Sequence, residues 1–318
     1  MNIFNEGVVE EFSKPLSEEV ATKAVAWTES VLVDILNEIK AKTSVVSSNY
    51  EFALMGDFIS GATTVNSEID IYIAFKSPQL EFNSIKIVDK KLRQFWVKIK
   101  RAWELSKEEK KNKKRKKSKK QSKITIQEVE NIPSNKYSII DLKKDILNRL
   151  LKALDEKSFV YVNNKSLKIV SRENFGVDIN VYPVIASGDD YKLYNDYTAK
   201  FEEINFNQFK ANLERKIRKA GETYIGITRV LKNMYFNINN YNPSPFFIES
   251  VLYNVPDDLF DGYSFYQVFI KVLNYLKNAR PENFVSMLDK DKKLFSDKNI
   301  PESILSIRDL IKQIDKLL

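Results

Sequence analysis

The chain of 318 residues contains neither cysteine nor histidine. Without thiols and imidazoles it has no disulfides, thiolate nucleophiles, Ser/His/Asp triads, imidazole acid/base catalysts or zinc sites of the usual kind. Any chemistry has to run on carboxylates, Lys, Arg, Tyr or hydroxyls, and carboxylates around a hard cation such as magnesium are the natural remaining choice. Long apolar runs are missing too, since no stretch approaches the roughly 18 residues of a membrane span. The opening residues MNIFNEGVVEEF put Glu6, Glu10 and Glu11 where a secretory signal needs basic and then apolar side chains. A cytoplasmic protein without membrane contact is expected. Its 43% hydrophobic and 12% aromatic content is ordinary for a soluble globular chain of one or two domains.

A net charge of +8 suggests a nucleic-acid partner until the charge is located. Lys107 to Lys123 holds ten Lys and one Arg against two Glu, a local +9 that leaves −1 for all other residues. The body of the protein is therefore not basic. Like charges repel and resist burial, so the segment from Lys107 to about Asn135 reads as an exposed insertion. Weak, salt-sensitive contact with nucleic acid through this run is the most it implies.

Between Ser17 and Lys42, Val20, Ala24, Trp27, Val31, Ile35 and Ile39 recur at helical spacing, and a long amphipathic helix is predicted. A short apolar stretch at Phe52 to Met55 and the turn-like GDFISGATTVNSE lead into IDIYIAF, whose β-branched and aromatic content predicts a strand. A helical pattern resumes at Ile139 to Leu154. Strand-like segments follow at Phe159 to Val162, Ser166 to Val170 and Val177 to Pro183. From about Asn205 the pattern becomes helical. Leu213, Ile217, Ala220, Tyr224, Ile227, Leu231 and Tyr235 keep steps of three and four, as if in one helix of about six turns. Further helices are predicted near Pro245 to Asn254, Tyr263 to Lys277 and Ile300 to Leu318.

Glu68 and Asp70 lie two apart at the start of the IDIYIAF strand, so both carboxylates leave from one face. Two carboxylates at that spacing can bridge divalent cations, although the same alternation also describes any strand with a solvated face. Asp178, in the strand-like FGVDINVYPV, is the candidate third carboxylate. Two-metal phosphoryl transfer needs such a set: one ion lowers the pKa of the attacking hydroxyl and the other neutralises the triphosphate and its leaving group.

Gly56 and Asp57, then Gly61, then Glu68, Ile69 and Asp70, with Asp178 in a later strand before Pro183, resemble the nucleotidyltransferase signature of Gly-Ser, acidic-x-Asp and a distant third Asp. The surroundings are most similar to the CD-NTases, bacterial relatives of oligoadenylate synthetase and of animal cyclic GMP-AMP synthase. The preceding long helix, the hairpin NNKSLKIV, the helix with RVLKNMY and the segment SPFFIES carry that likeness from about Val20 to Phe260. The chain departs from the pattern at Asp57, where the family has Ser, and at Ala62, where Thr is frequent.

The resemblance implies an α+β fold. Residues 1–204 would form a polymerase beta-like nucleotidyltransferase lobe with a mixed β-sheet, the Lys-rich insertion at 107–135 included, and residues 205–318 an all-helical lobe. It implies a catalytic and metal-binding set of Glu68, Asp70 and Asp178 around two Mg2+ ions, with Mn2+ as a substitute. Gly56, Asp57, Arg229, Lys232 and Ser244 would bind the nucleotide; Glu249 ranks lower, as a residue of the helical lobe. Arg229 and Lys232 equally fit a solvated helix flank. The implied activity is template-independent synthesis of a cyclic di- or trinucleotide from NTPs with release of pyrophosphate, in antiphage signalling through a downstream effector. The alternatives are a nucleotidyltransferase that modifies an RNA or protein acceptor and a nucleic-acid-binding protein without catalysis.

Overall fold

A computed structural model of the chain describes residues 5–42, 50–64, 66–76, 80–81, 137–154, 158–170, 175–188, 190–239, 242–244, 246–297, 300 and 302–317. The Lys-rich run lies outside them. Helices α1 (Glu6–Phe12) and α2 (Glu18–Lys42) precede strand β1 (Tyr50–Met55), the single turn α3 (Asp57–Ser60) and strand β2 (Glu68–Phe75). After α4 (Ile139–Ala153) come β3 (Phe159–Val162), β4 (Leu167–Val170), β5 (Asp178–Ser187), β6 (Asp190–Asn195) and β7 (Lys200–Ile204). Helices α5 (Phe206–Ala220), α6 (Glu222–Asn239), α7 (Phe247–Tyr253), α8 (Phe265–Asn278) and α9 (Ile304–Leu317) complete the order. The change from strands to helices falls at Asn205, whose side chain accepts from the Gln208 amide and caps α5.

The seven strands form one sheet in the order β1-β2-β5-β4-β3, with β6 pairing β5 and β7 pairing β6. Among the described residues only the β2–β5 pair is parallel, and the sheet is mixed as expected. Both faces of β2 are covered. Ile69, Ile71, Ile73 and Phe75 pack with Leu32, Leu36 and Ile39 of α2 and Ile146 and Leu150 of α4. Tyr72 and Ala74 join a second core with Leu213 of α5, Ile227 and Leu231 of α6 and Phe247 of α7. The face that carries Glu68 and Asp70 is thus turned toward the helical segment and not to open water.

Two parts of the fold differ from the sequence reading. The long helix expected through Leu213 and Tyr235 is two helices, because Gly221 takes φ 69° and ends α5. Left-handed φ suits glycine and stops a helix, while the apolar steps run on across the break. Strands β6 and β7 were not anticipated: DYKLYN and KFEEI are short segments rich in polar residues, and only β7 lies at the edge of the sheet among the described residues.

Candidate active site

The site begins at a turn only glycine enters readily. Gly56, at φ 59° and ψ −129°, swings the chain out of β1 into α3 and delivers Asp57 at its first position. The parallel register then pairs Glu68 with Asp178, Asp70 with Asn180 and Tyr72 with Tyr182. Because side chains alternate along a strand, all six leave the same face of the sheet. Tyr72 and Tyr182 stack with ring centroids 4.6 Å apart and form the apolar end of this row.

A cleft with about 520 Å³ of open space, its mouth included, lies over the row. Asp57, Glu68, Asp70, Asn180, Lys232 and Ser244 line it, with Asn163, Tyr182, Asn242 and Pro243. Asp70 is only 5% exposed. Burial at that level removes the reading of a strand with a solvated face, because a carboxylate is costly to desolvate and needs partners. The amide nitrogen of Asn180 supplies them: Nδ2 donates to Asp70 Oδ1 at 2.9 Å and to Glu68 Oε2 at 2.5 Å. Glu68 Oε1 accepts from Lys168 Nζ at 2.5 Å and from Asn242 Nδ2 at 3.1 Å. Lys168 Nζ also lies 3.3 Å from Asp178 Oδ2.

A second charged cluster faces the first from the helical side. Lys232 of α6 donates to Asp57 Oδ1 and, at 2.5 Å, to Glu249 Oε1 of α7. Ser67 Oγ donates to Asp57 Oδ2 at 2.7 Å, and Ser60 Oγ to Glu249 Oε1 at 3.4 Å. Glu249 is fully buried, and its Oε2 accepts no hydrogen bond among the described residues.

Burial, reinforced by the charges of Glu68 and Asp57, pushes the Asp70 carboxyl well above its usual range despite the Asn180 hydrogen bond. Burial acts on Glu68 in the same sense, but Lys168 and the amides of Asn180 and Asn242 outweigh it and hold Glu68 below its usual value. Lys232 is buried as well, yet Asp57 and Glu249 keep it charged, with its pKa above the ordinary lysine value. Burial pushes Glu249 up, and Lys232 offsets only part of that.

Among the described residues three carboxylates (Asp57, Glu68 and Asp70) and one ammonium group (Lys232) line the cleft, a net −2 when all are ionised, with Asp178, Glu249 and Lys168 paired to them from behind. Such a cleft repels a triphosphate alone and accepts one that arrives with divalent cations. The donor set suits magnesium: hard carboxylate oxygens of Glu68 and Asp70 converge on the one point where the Asn180 amide nitrogen sits. Among the described residues no group of three or more acidic side chains is arranged to hold a metal ion.

Of the residues singled out in the sequence, Asp57, Glu68, Asp70, Lys232 and Ser244 meet at the cleft, and Gly56 shapes its turn. Ser244 is engaged by Glu302, through its backbone N–H at 2.5 Å and through its hydroxyl. Asp178 is buried beside Lys168 and does not line the cleft. Arg229 also stays outside it, with Nε and Nη2 donating to the Gly61 carbonyl at 2.9 and 2.7 Å and Nη1 to that of Ser13 at 3.0 Å. It holds the α3 turn and the N-terminal segment onto α6. Asn180 and Asn242 escaped the sequence reading, which sought acids; the pairing of residue 180 with Asp70 is a fact of the tertiary register.

Residues 211–318 match the family profile of the cGAS/DncV-like nucleotidyltransferase C-terminal helical domain. No curated protein matches the chain. Among solved structures, the CdnE c-UMP-AMP synthase of Rhodothermus marinus is 19% identical, with a TM-score of 0.61 over 99% of this chain and 96% of that one. The CdnE cyclic dinucleotide synthase of Elizabethkingia meningoseptica is 17% identical, with a TM-score of 0.61 over 98% and 97%. The Vibrio cholerae di-nucleotide cyclase DncV is 10% identical, with a TM-score of 0.59 over 99% and 89%. At these identities the likeness is one of fold. The chain carries the CD-NTase fold along its whole length, and its residues 211–318 are similar to the C-terminal helical domain of the cGAS/DncV-like nucleotidyltransferases.

Proposed function

We propose that this chain is a template-independent nucleotidyltransferase that joins nucleoside triphosphates into a cyclic di- or trinucleotide and releases pyrophosphate at each bond. The observation that carries the reading is the pair of half-buried Glu68 and buried Asp70, which faces Lys232 across a cleft between the sheet and the helices. The domain match supports it, as do the relatives: the Rhodothermus enzyme was solved with Apcpp and Upnpp, the Elizabethkingia enzyme with GTP and Apcpp.

In the reaction a ribose hydroxyl of one nucleotide attacks the α-phosphorus of another; the new P–O bond forms as the bond to pyrophosphate breaks, and the hydroxyl proton is lost. Bound Mg2+, or Mn2+ in its place, would supply a lowered pKa for that hydroxyl and neutralise charge on the leaving group. Glu68 and Asp70 offer the oxygens for it, and Lys168 keeps Glu68 ionised and oriented. Lys232, the one ammonium group lining the cleft among the described residues, neutralises the triphosphate. To do so it must exchange Asp57 for phosphate oxygens, while Glu249 holds it in place from behind. Ser244 contributes a hydroxyl at the opposite edge.

The product is assigned to antiphage signalling in the cytoplasm, through an effector protein that responds to it. Mass spectrometry of products from mixed NTPs and magnesium tests the reaction: a nucleotide product formed with no acceptor present supports it, and transfer only to added RNA or protein points to macromolecule modification. Phage challenge of cells carrying the wild type or Asp70→Ala tests the biological role, protection by both being the contrary result.

A further inference from the structure

Asn242, Pro243 and Ser244, between α6 and α7, make one wall of the cleft. A connecting segment is a soft carrier for binding groups unless something outside it fixes it. At its near end Asn242 Nδ2 crosses to the sheet and donates to Glu68 Oε1 at 3.1 Å. At its far end the chain enters α7 through Phe246, a buried residue at φ 71° whose ring meets that of Phe209 edge-on, centroids 4.5 Å apart. Left-handed backbone is strained for so large a side chain and persists only where the surroundings hold it.

Between these ends, both donors of Ser244 go to a single carboxylate. The backbone N–H donates to Glu302 Oε1 at 2.5 Å and the hydroxyl donates to Glu302 Oε2. Two charge-assisted bonds to one residue fix its orientation as well as its position. Glu302 itself does not line the cleft. It stands two residues before α9, whose Ile307, Leu310 and Ile314 are buried in the same core as Ile227 and Leu231 of α6. Its footing is therefore rigid. Pro243 passes the constraint on: its ring fixes φ, and the residue before a proline is kept from helical backbone, so Ser244 cannot shift without Asn242.

We propose that Glu302 is a positioning residue for nucleotide binding: by holding both donors of Ser244 it sets residues 242–244 as a fixed wall of the cleft and keeps the Asn242 amide on Glu68. This inference rests on the nucleotidyltransferase reading. It gives the C-terminal helix, which supplies no lining residue among those described, a part in the site. Arg308 of α9 pairs with Glu282 at 2.6 Å on the open surface, where both side chains are more than half exposed. That pair fastens the same helix without touching the cleft, and so serves as the control.

The test is calorimetric titration of the full chain with magnesium and the α,β-methylene analogues of the four ribonucleoside triphosphates, the one that binds wild type most tightly being used for the variants. Glu302→Ala is expected to weaken binding by about tenfold, the scale of a lost charge-assisted hydrogen bond. Glu302→Gln keeps the length and one acceptor and should lose about threefold. Arg308→Ala should stay within about twofold of wild type, since an exposed pair is worth little. With hydrolysable NTP the loss in Glu302→Ala should fall in KM, with kcat within about threefold. The losses in Ser244→Ala and Glu302→Ala should combine to at least about threefold less than their product, because they share one contact.

Unchanged affinity in Glu302→Ala overturns the inference and makes Glu302 a fastening of the C-terminal segment alone. A loss matched by Arg308→Ala overturns it as well, by assigning the effect to the docking of α9. Tighter binding in Glu302→Ala is the third contrary result, since Glu302 would then compete with the nucleotide for Ser244. Should Glu302→Ala melt below the assay temperature, Glu302→Gln carries the test with the same signs. A wild type that binds none of the analogues is a different failure: it removes the functional reading underneath.

Discussion

Lys232 offers the sharpest test of how the two halves of the site are joined. Its side chain is 5% exposed, Glu249 is fully buried, and the ion pair between them measures 2.5 Å. With charge centres about 4 Å apart, the attraction is about 4 kcal/mol at an effective dielectric of about 20. Desolvation offsets much of it while the pair is whole, but removing one partner strands the other. Lys232→Met leaves Glu249 without a counter-charge and with neither carboxylate oxygen well satisfied, and it frees Asp57 at the same time. The expected loss is about 3–5 kcal/mol, less whatever Glu249 recovers by taking up a proton, which its raised pKa favours. In a chain this long that is a fall in Tm of about 4–8 °C. Glu249→Gln on the same background removes the stranded charge, so the double variant should regain about 2 kcal/mol over the sum of the single losses. Urea and thermal melts of the two single variants and the double one at pH 7 provide the cycle. A loss below about 1 kcal/mol in Lys232→Met, or strictly additive losses, would refute the buried-pair argument.

Asp57→Ser should lower the KM for NTP, because it frees Lys232 and removes a negative charge from the triphosphate path; an unchanged KM across a magnesium titration would put the phosphates elsewhere. Asp70 gives a pH dependence. Its folded pKa is raised above 3.8, so its contribution to metal-free stability is full below the ordinary carboxylate range and is lost as pH rises through the raised value. Melts in chelator should therefore fall with pH across that range. Divalent-ion affinity should rise over the same range with release of a proton, which calorimetry in buffers of different ionisation enthalpy reads directly; pH-independent affinity would contradict it. Deleting Lys107 to Lys123 should leave NTP turnover intact while weakening any salt-sensitive nucleic-acid binding, and loss of turnover in a folded deletion would place the run in the active site or its activation.

Much of this site was legible in the sequence because its backbone carriers are strongly patterned. IDIYIAF alternates cleanly, and its apolar residues divide between two cores as the period of two requires. The helix through Val20 and Ile39 is α2, and Gly56 and Asp57 form the turn read from their spacing. What local pattern lacked was register. Asp178 and Asn180 are two apart on one strand, so alternation puts both on the same face; only the β2–β5 pairing sets Asn180 against Asp70. The Gly221 break was hidden because the apolar period continues across it, from Ile217 and Ala220 to Tyr224 and Ile227. Arg229 and Lys232 share a helix and a charge, and the sequence could not divide their roles. Their neighbours do: backbone carbonyls surround Arg229, and carboxylates surround Lys232.

The central claim, that the Glu68–Asp70 pair makes this chain a nucleotide-joining enzyme, is most directly tested with purified wild type and Asp70→Ala, labelled NTPs and magnesium, and no acceptor. The wild type should release pyrophosphate and form a product whose label resists phosphatase, as a ring without terminal phosphates must. Asp70→Ala should lose several kcal/mol of transition-state stabilisation and form that product at least about a hundredfold more slowly. Product at near wild-type level from Asp70→Ala, in a protein with unchanged melts, would contradict the account.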